Sequence, residues 1–306
     1  MIPEPANNAT SCQHLDLVFW PVGHAALGIR EHLEIAQAGG FDSLAIAPNR
    51  AKALLKQGLT ASDLLEMAAE HGLRYTQLDG IATWVKNWRA TKGDPDLNAW
   101  IENLFNIDLV EALEIGAALG AEAAVAVPFF DEGSIPHQQV VEEFGRFCDT
   151  AARYGIEIHI EFIPFWGVPD LSAATDIVSA ANRVNSGILV DTWHLQKGSR
   201  DFRRDMELLR AIPGKWLKHV QMADADRAAH AETLAGDVMF RKFPGEGELE
   251  VAEILSIISG KGNLRSVGPE VVNATLADMT PTQIGTRAGK TTRDILTQVG
   301  ISHPWF

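Results

Sequence analysis

The sequence predicts one closed barrel of eight parallel strands alternating with helices, a single-domain (β/α)8 or TIM barrel of the α/β class. Three observations lead there. Eight short apolar runs alternate with longer amphipathic segments, with no break in composition, and strands that alternate with helices pair in parallel. The chain has 306 residues, which suits one barrel of roughly 250 residues with insertions. The segment after the first run reads Trp20-Pro21-Val22-Gly23-His24, not the glycine-rich phosphate loop usual in an open doubly wound sheet.

The elements follow in order. The first strand is expected at His14–Trp20 and its helix at Ile29–Ala38. A second strand at Phe41–Ala47 precedes a helix at Ser62–His71. The third, Tyr75–Gly80, leads through an irregular stretch, Trp84–Leu97, into a helix at Ile101–Leu119. The fourth and fifth strands, Ala123–Pro128 and Ile156–Phe162, are followed by helices at Val140–Tyr154 and Leu171–Ala181. The sixth, Ile188–Thr192, and the seventh, Leu217–Ala223, precede the second irregular stretch, Asp224–Glu250, and a helix at Val251–Ser259. The eighth, Ser266–Val272, is closed off by a helix at Pro281–Val299. Gly39, Gly72, Gly120 and Gly155 punctuate helix ends, where glycine can turn left-handed. The barrel is thus expected over residues 14–300, with an N-terminal extension at 1–13 and a tail at 301–306.

Composition narrows the function. The net charge of −14 disfavours nucleic acid and anionic membrane surfaces as partners, because both need clustered Lys and Arg. It leaves room for a metal, since carboxylates attract cations. The cysteines, Cys12 and Cys148, make neither a disulfide framework nor a thiolate zinc site and read as free thiols in a reducing compartment. The polar start, Met1 to Gln13, lacks the features of a signal peptide, and no apolar run approaches the roughly 18 residues of a membrane span. A cytoplasmic protein is expected.

Four strand ends carry oxygen donors. In Ile156-Glu157-Ile158-His159-Ile160-Glu161, alternation turns the isoleucines outward under the helices and the polar set toward the axis, with Glu161 uppermost. Alone, Glu161 also reads as a glutamate paired with a barrel Arg or Lys. Asp191 ends an apolar run in the sixth strand, and His194 follows where the chain turns away. That spacing lets one residue bind a metal while the other reaches substrate, although helix capping explains it as well. In the seventh strand Gln221 lies near the top and His219 one layer deeper, as a hydrogen-bonded core residue. Arg227, in the following loop, is placed to neutralise a substrate oxygen or is simply a solvated arginine. Glu270 lies inside an apolar run near the end of the eighth strand. In a closed barrel these ends converge, and three adjacent carboxylates repel unless a cation or shared protons compensate. A divalent metal held by Glu161, Asp191, Gln221 and Glu270 is the economical solution. Hard oxygen ligands favour Mn²⁺ or Mg²⁺, with Co²⁺ and Zn²⁺ also compatible.

These residues resemble the xylose-isomerase-like barrel superfamily, which contains sugar isomerases, sugar 3-epimerases, inosose and dehydroshikimate dehydratases, and endonuclease IV. The likeness runs over nearly the whole chain. It rests on Ile160-Glu161-Phe162-Ile163-Pro164, Val190-Asp191-Thr192-Trp193-His194, His219-Val220-Gln221-Met222-Ala223-Asp224, Phe243-Pro244-Gly245-Glu246-Gly247-Glu248 and Pro269-Glu270-Val271. It implies metal binding by Glu161, Asp191, Gln221 and Glu270, substrate contacts from His194 and Arg227, and a covering loop at Pro244 to Gly247 that brings Glu246 to the substrate. Gln rather than His as third ligand is similar to the hydroxypyruvate isomerase and 3-dehydroshikimate dehydratase branches. The second, third and fourth strand ends (Ala47, Asp79 and Pro128) lack the extra histidines of the endonuclease branch.

One metal flanked by Glu161 and Glu270 suits proton abstraction next to a carbonyl through a metal-stabilised enediolate. Returning the proton elsewhere makes a sugar or keto-sugar isomerase or epimerase, with Glu161, Glu270, His194 and Arg227 as catalytic groups. Losing a leaving group makes a lyase, such as a dehydroshikimate or inosose dehydratase or an enzyme that eliminates an aglycone from a keto-glycoside. A non-catalytic sugar-binding or partner-subunit barrel is the third reading. Aromatics at the expected mouth, with Trp20, Trp84, Phe165 and Trp166 among the substrate contacts, read as loop packing or as a site for a ring-bearing small molecule. Homo-oligomerisation is left open.

Overall fold

The computed structural model describes residues 15–302. Cys12, the expected extension 1–13, His14 of the first expected strand and residues 303–306 of the expected tail lie outside the described residues. The described chain closes into a barrel in which β1 to β8 pair in sequence order and β8 returns to β1, every pair parallel. The predicted fold class is the observed one. No helix among the described residues is long and apolar enough to cross a membrane.

Strand β1 (Asp16–Phe19) leads to α1 (Ile29–Gly39), β2 (Ser43–Ile46), α2 (Pro48–Lys56), α3 (Ala61–Glu70) and β3 (Arg74–Ile81). Next come α4 (Pro95–Phe105), α5 (Leu109–Leu119), β4 (Ala123–Ala126), α6 (His137–Ala151), β5 (Glu157–Glu161) and α7 (Leu171–Ala181). The last third holds β6 (Ser186–Asp191), α8 (Thr192–Lys197), α9 (Phe202–Ala211), β7 (His219–Met222) and α10 (Leu234–Asp237). It ends with α11 (Val251–Ser259), β8 (Ser266–Pro269) and α12 (Pro281–Gln298).

The expected helix Ile101–Leu119 is two helices. Asn106, Ile107 and Asp108 break it, because the Asp108 carboxylate accepts the N–H groups of Val110 (2.9 Å) and Glu111 (3.1 Å) and so starts α5. The first punctuating glycine is Gly40, at φ 66°, rather than Gly39. Gly39 serves packing instead: α12 crosses so closely that a Cβ on Gly289 would lie 1.9 Å from the Gly39 carbonyl oxygen.

The strands' outward side chains are apolar and buried under the helices, as Ile158, Ile160, Val190 and Val220 illustrate. The interior is polar in its lower layers, and the hydrogen bonds there are specific. Asp16 accepts from Ser43 (2.6 Å) and Thr76 (2.9 Å) at the bottom. One layer up, His219 Nδ1 lies 2.7 Å from Ser266 Oγ, and the His159 and His219 rings meet edge to face at 4.3 Å. These layers fill the lower barrel and leave chemistry to the top.

Candidate metal centre and active site

Glu161 and Asp191 are the last residues of β5 and β6. Register puts Asp191 beside Gln221 across β6 and β7, and Gln221 beside Gly268 of β8. Glu270 lies just past β8, held by its backbone N–H on the Met222 carbonyl at 3.0 Å. The four side chains therefore meet at one end of the barrel, all buried. Asp191 also caps α8 through a 2.8 Å bond from the His194 N–H, so one strand end fixes both residues. A ring nitrogen of His194 and carboxylate oxygens of Glu161 and Asp191 lie within 4.8 Å of one another.

The donor set fits a divalent cation. Gln221 gives its amide N–H to Glu270 Oε1 at 2.8 Å, which fixes the amide's orientation, and its Oε1 is buried with no hydrogen-bond partner among the described residues. An orphaned acceptor among three carboxylates fits a cation ligand. Burial, reinforced by repulsion from Glu270, Asp191 and Asp79, drives the Glu161 carboxyl well above the usual range. Burial and the Asp79 charge do the same to Glu270. A divalent ion would relieve both. Burial also lowers the His194 imidazole to about 3, so it is neutral.

Two residues join this cluster that sequence reasoning did not place there. Arg241, 1% exposed, donates from Nη1 to Asp191 Oδ2 and Glu270 Oε2, both at 2.9 Å, and from Nη2 to His194 Nε2 at 3.1 Å. A guanidinium only donates, so His194 Nε2 accepts and its proton sits on Nδ1. The second is Asp79 in β3, half-buried, whose carboxyl burial pushes up to about 7. Its signal was weaker than that of Asp191: it stands near a strand's C-terminal end, but after Thr76-Gln77-Leu78 rather than an apolar run. Arg241 had no such signal, since it stands in an irregular segment beside Lys242 and reads as solvated. Asp79 also borders a cavity of about 350 Å³ on the β1–β3 side of the mouth, lined by Val22, Ala47, Arg50 and Phe105 among others.

Residues 33–288 match the sequence model described as xylose isomerase-like TIM barrel. The chain belongs to this family. It is 27% identical over 245 residues to a 3-dehydroshikimate dehydratase of Pseudomonas putida, an alignment covering 79% of this chain but 36% of that protein's length. It is 23% identical over 277 residues to an inosose isomerase of Bacillus velezensis, covering 88% of this chain and 92% of the relative. A crystal structure of an IolI protein with a bound zinc atom superimposes with a TM-score of 0.75 at 21% identity, covering 93% and 99% of the two chains.

In this xylose isomerase-like barrel the remaining expected contacts are distributed unevenly. Arg227 is not brought to the cluster: it is exposed and pairs with Glu250. Glu246 pairs with Arg287 of α12 at 2.7 Å. The loop carrying it is tied down by buried Asp224, which accepts from the N–H groups of Gly245 (3.0 Å) and Leu249 (2.9 Å). Trp20 and Trp84 belong to the buried core, Trp84 donating to the Val127 carbonyl at 2.9 Å. Phe165 and Trp166 are half-buried, and the Phe165 ring stands 6.2 Å from His194, at the edge of the cluster.

Proposed function

We propose that this barrel is a divalent-metal-dependent isomerase of a cyclic keto-polyol or related keto-sugar, working by proton transfer at the carbon next to the carbonyl. The observation that carries it is the meeting of Glu161, Asp191, Gln221 and Glu270 at one end of the barrel, with the Gln221 carbonyl oxygen unpartnered among the described residues. Glu161, Asp191, Gln221 and Glu270 would hold the ion. When bound, it supplies a Lewis acid that polarises the substrate carbonyl and acidifies the neighbouring C–H. The oxygen-rich donor set favours Mn²⁺ or Mg²⁺ over thiolate-seeking metals.

The chain's own groups do the rest. Glu161 and Glu270 stand on β5 and just past β8, so one can take a proton and the other return it to a different atom or face. Neutral His194, with its proton on Nδ1 and no partner for that atom among the described residues, is a ready donor to a substrate oxygen. Phe165 and Trp166 flank that side with apolar surface. The cavity beside Asp79 has room for the part of the substrate remote from the carbonyl.

Similarity to the dehydratase supports a second reading, in which the same proton abstraction is followed by loss of water. One experiment addresses both. Metal-loaded protein is incubated in D₂O with cyclic keto-polyols and hydroxylated cyclohexenones and followed by proton NMR and ultraviolet absorbance. Isomerisation exchanges the proton next to the carbonyl without new absorbance, while dehydration adds a conjugated chromophore. Glu161→Gln and Glu270→Gln should each slow exchange by about 10²-fold or more. Substrate binding without any exchange would leave a sugar-binding barrel rather than an enzyme.

A further inference from the structure

Arg241 is built into the ligand set rather than beside it. Its Nη1 bridges Asp191 of β6 and Glu270 just past β8, the two carboxylates that flank Gln221 of β7. The same guanidinium reaches His194 and lies 5.0 Å over the Trp193 ring. Its backbone is fixed on both sides: its N–H donates to the Val272 carbonyl at 3.2 Å, and its carbonyl accepts from Asn273 Nδ2 at 2.7 Å. A divalent ion binding Asp191 and Glu270 together would share both carboxylates with the guanidinium and stand close to its positive charge. One positive charge cannot balance Glu161, Asp191 and Glu270, yet it lowers what an entering cation gains.

Resting on the reading of those strand-end residues as metal ligands, we propose that Arg241 is the centre's resident counter-cation. It holds Asp191, Glu270 and His194 in place when no metal is bound. It competes with the ion for the two carboxylates and so sets metal affinity. Arg241 is here a positioning residue, acting through the ligands.

The test is calorimetric titration of Mn²⁺ into chelator-stripped wild type and Arg241→Met, with thermal midpoints for both. Removing the arginine should tighten Mn²⁺ binding by about tenfold or more, since one adjacent unit charge commonly shifts carboxylate ionisation by one to three pKa units. It should also lower the metal-free midpoint, by about 3 °C or more, because buried carboxylates lose their partner. Added Mn²⁺ should then recover the difference. Arg241→Gln, which loses the charge but keeps a donor, gives the same comparison if the Met variant does not fold. Wild-type binding that is unchanged or weakened in the variant would overturn the competition alone. Failure of both proteins to bind Mn²⁺ would overturn the ligand reading on which it rests.

Discussion

Gln221 and His219 share a strand face, and one layer of depth separates their environments. Gln221 has a free carbonyl oxygen among carboxylates. His219 is packed against His159 and bonded to Ser266, and burial holds its imidazole well below the usual range. His219→Ala should therefore cost about 2–4 kcal/mol of stability, through the cavity and the unpaired Ser266, and leave Mn²⁺ stoichiometry intact. Gln221→Ala should weaken Mn²⁺ binding by about tenfold with a smaller stability loss. Denaturant unfolding and metal titration of both variants decide it, and metal lost from His219→Ala but kept by Gln221→Ala would reverse the assignment. The strand-end acids could be read from sequence because Glu161 closes an alternating strand, Asp191 ends an apolar run and Glu270 interrupts one near a strand end. Arg241 could not, because its position depends on how the segment after β7 folds back, through the pairing of Asp224 with Lys242.

Elements were legible where one period ran uninterrupted. β5 and β7 alternate cleanly and β6 is a continuous apolar run, and their observed bounds fall within the expected ones except that β6 starts two residues earlier, at Ser186. The α4–α5 break was hidden because apolar spacing carries on through it, and Asp108 equally suits the solvated face of a continuous helix. Short helices were also missed. α2 opens on Pro48 directly after a strand, and α9 is charged enough to resemble a loop, although Met206 and Leu209 bury its inner face. The capping role is testable. Asp108→Ala should destabilise the protein by about 1 kcal/mol, and Asp108→Asn by only a few tenths, since an amide oxygen can still accept the two N–H groups. Urea midpoints of the two variants provide the measurement, and equal losses would show that α5 does not depend on this cap.

At the scale of the molecule, neutral histidines buried throughout the barrel tie its stability to pH. His24 follows β1 and His32 lies in α1, on the wall of the cavity that Asp79 borders; they are 8% and 1% exposed, and burial lowers both to about 4. For His32, a bond from Nε2 to the His24 carbonyl and the Glu31 charge pull upward, while Arg50 and His24 push down, and desolvation prevails. The unfolded chain takes up these protons near 6.5, so between about pH 6.5 and 4 it binds more protons than the folded chain. Stability from these residues is complete above that window and is lost as pH falls through it. Glu161 and Glu270, displaced upward in the metal-free protein, work in the opposite sense, so a bare pH profile mixes two signs. Comparison with His32→Gln separates them, because glutamine can keep the donation to the His24 carbonyl but does not titrate. From about pH 7 to about pH 5 the unfolding free energy of the wild type should fall by roughly 2 kcal/mol relative to the variant. Parallel urea titrations at the two pH values measure this difference directly, and a constant offset would mean that His32 takes up its proton as readily folded as unfolded.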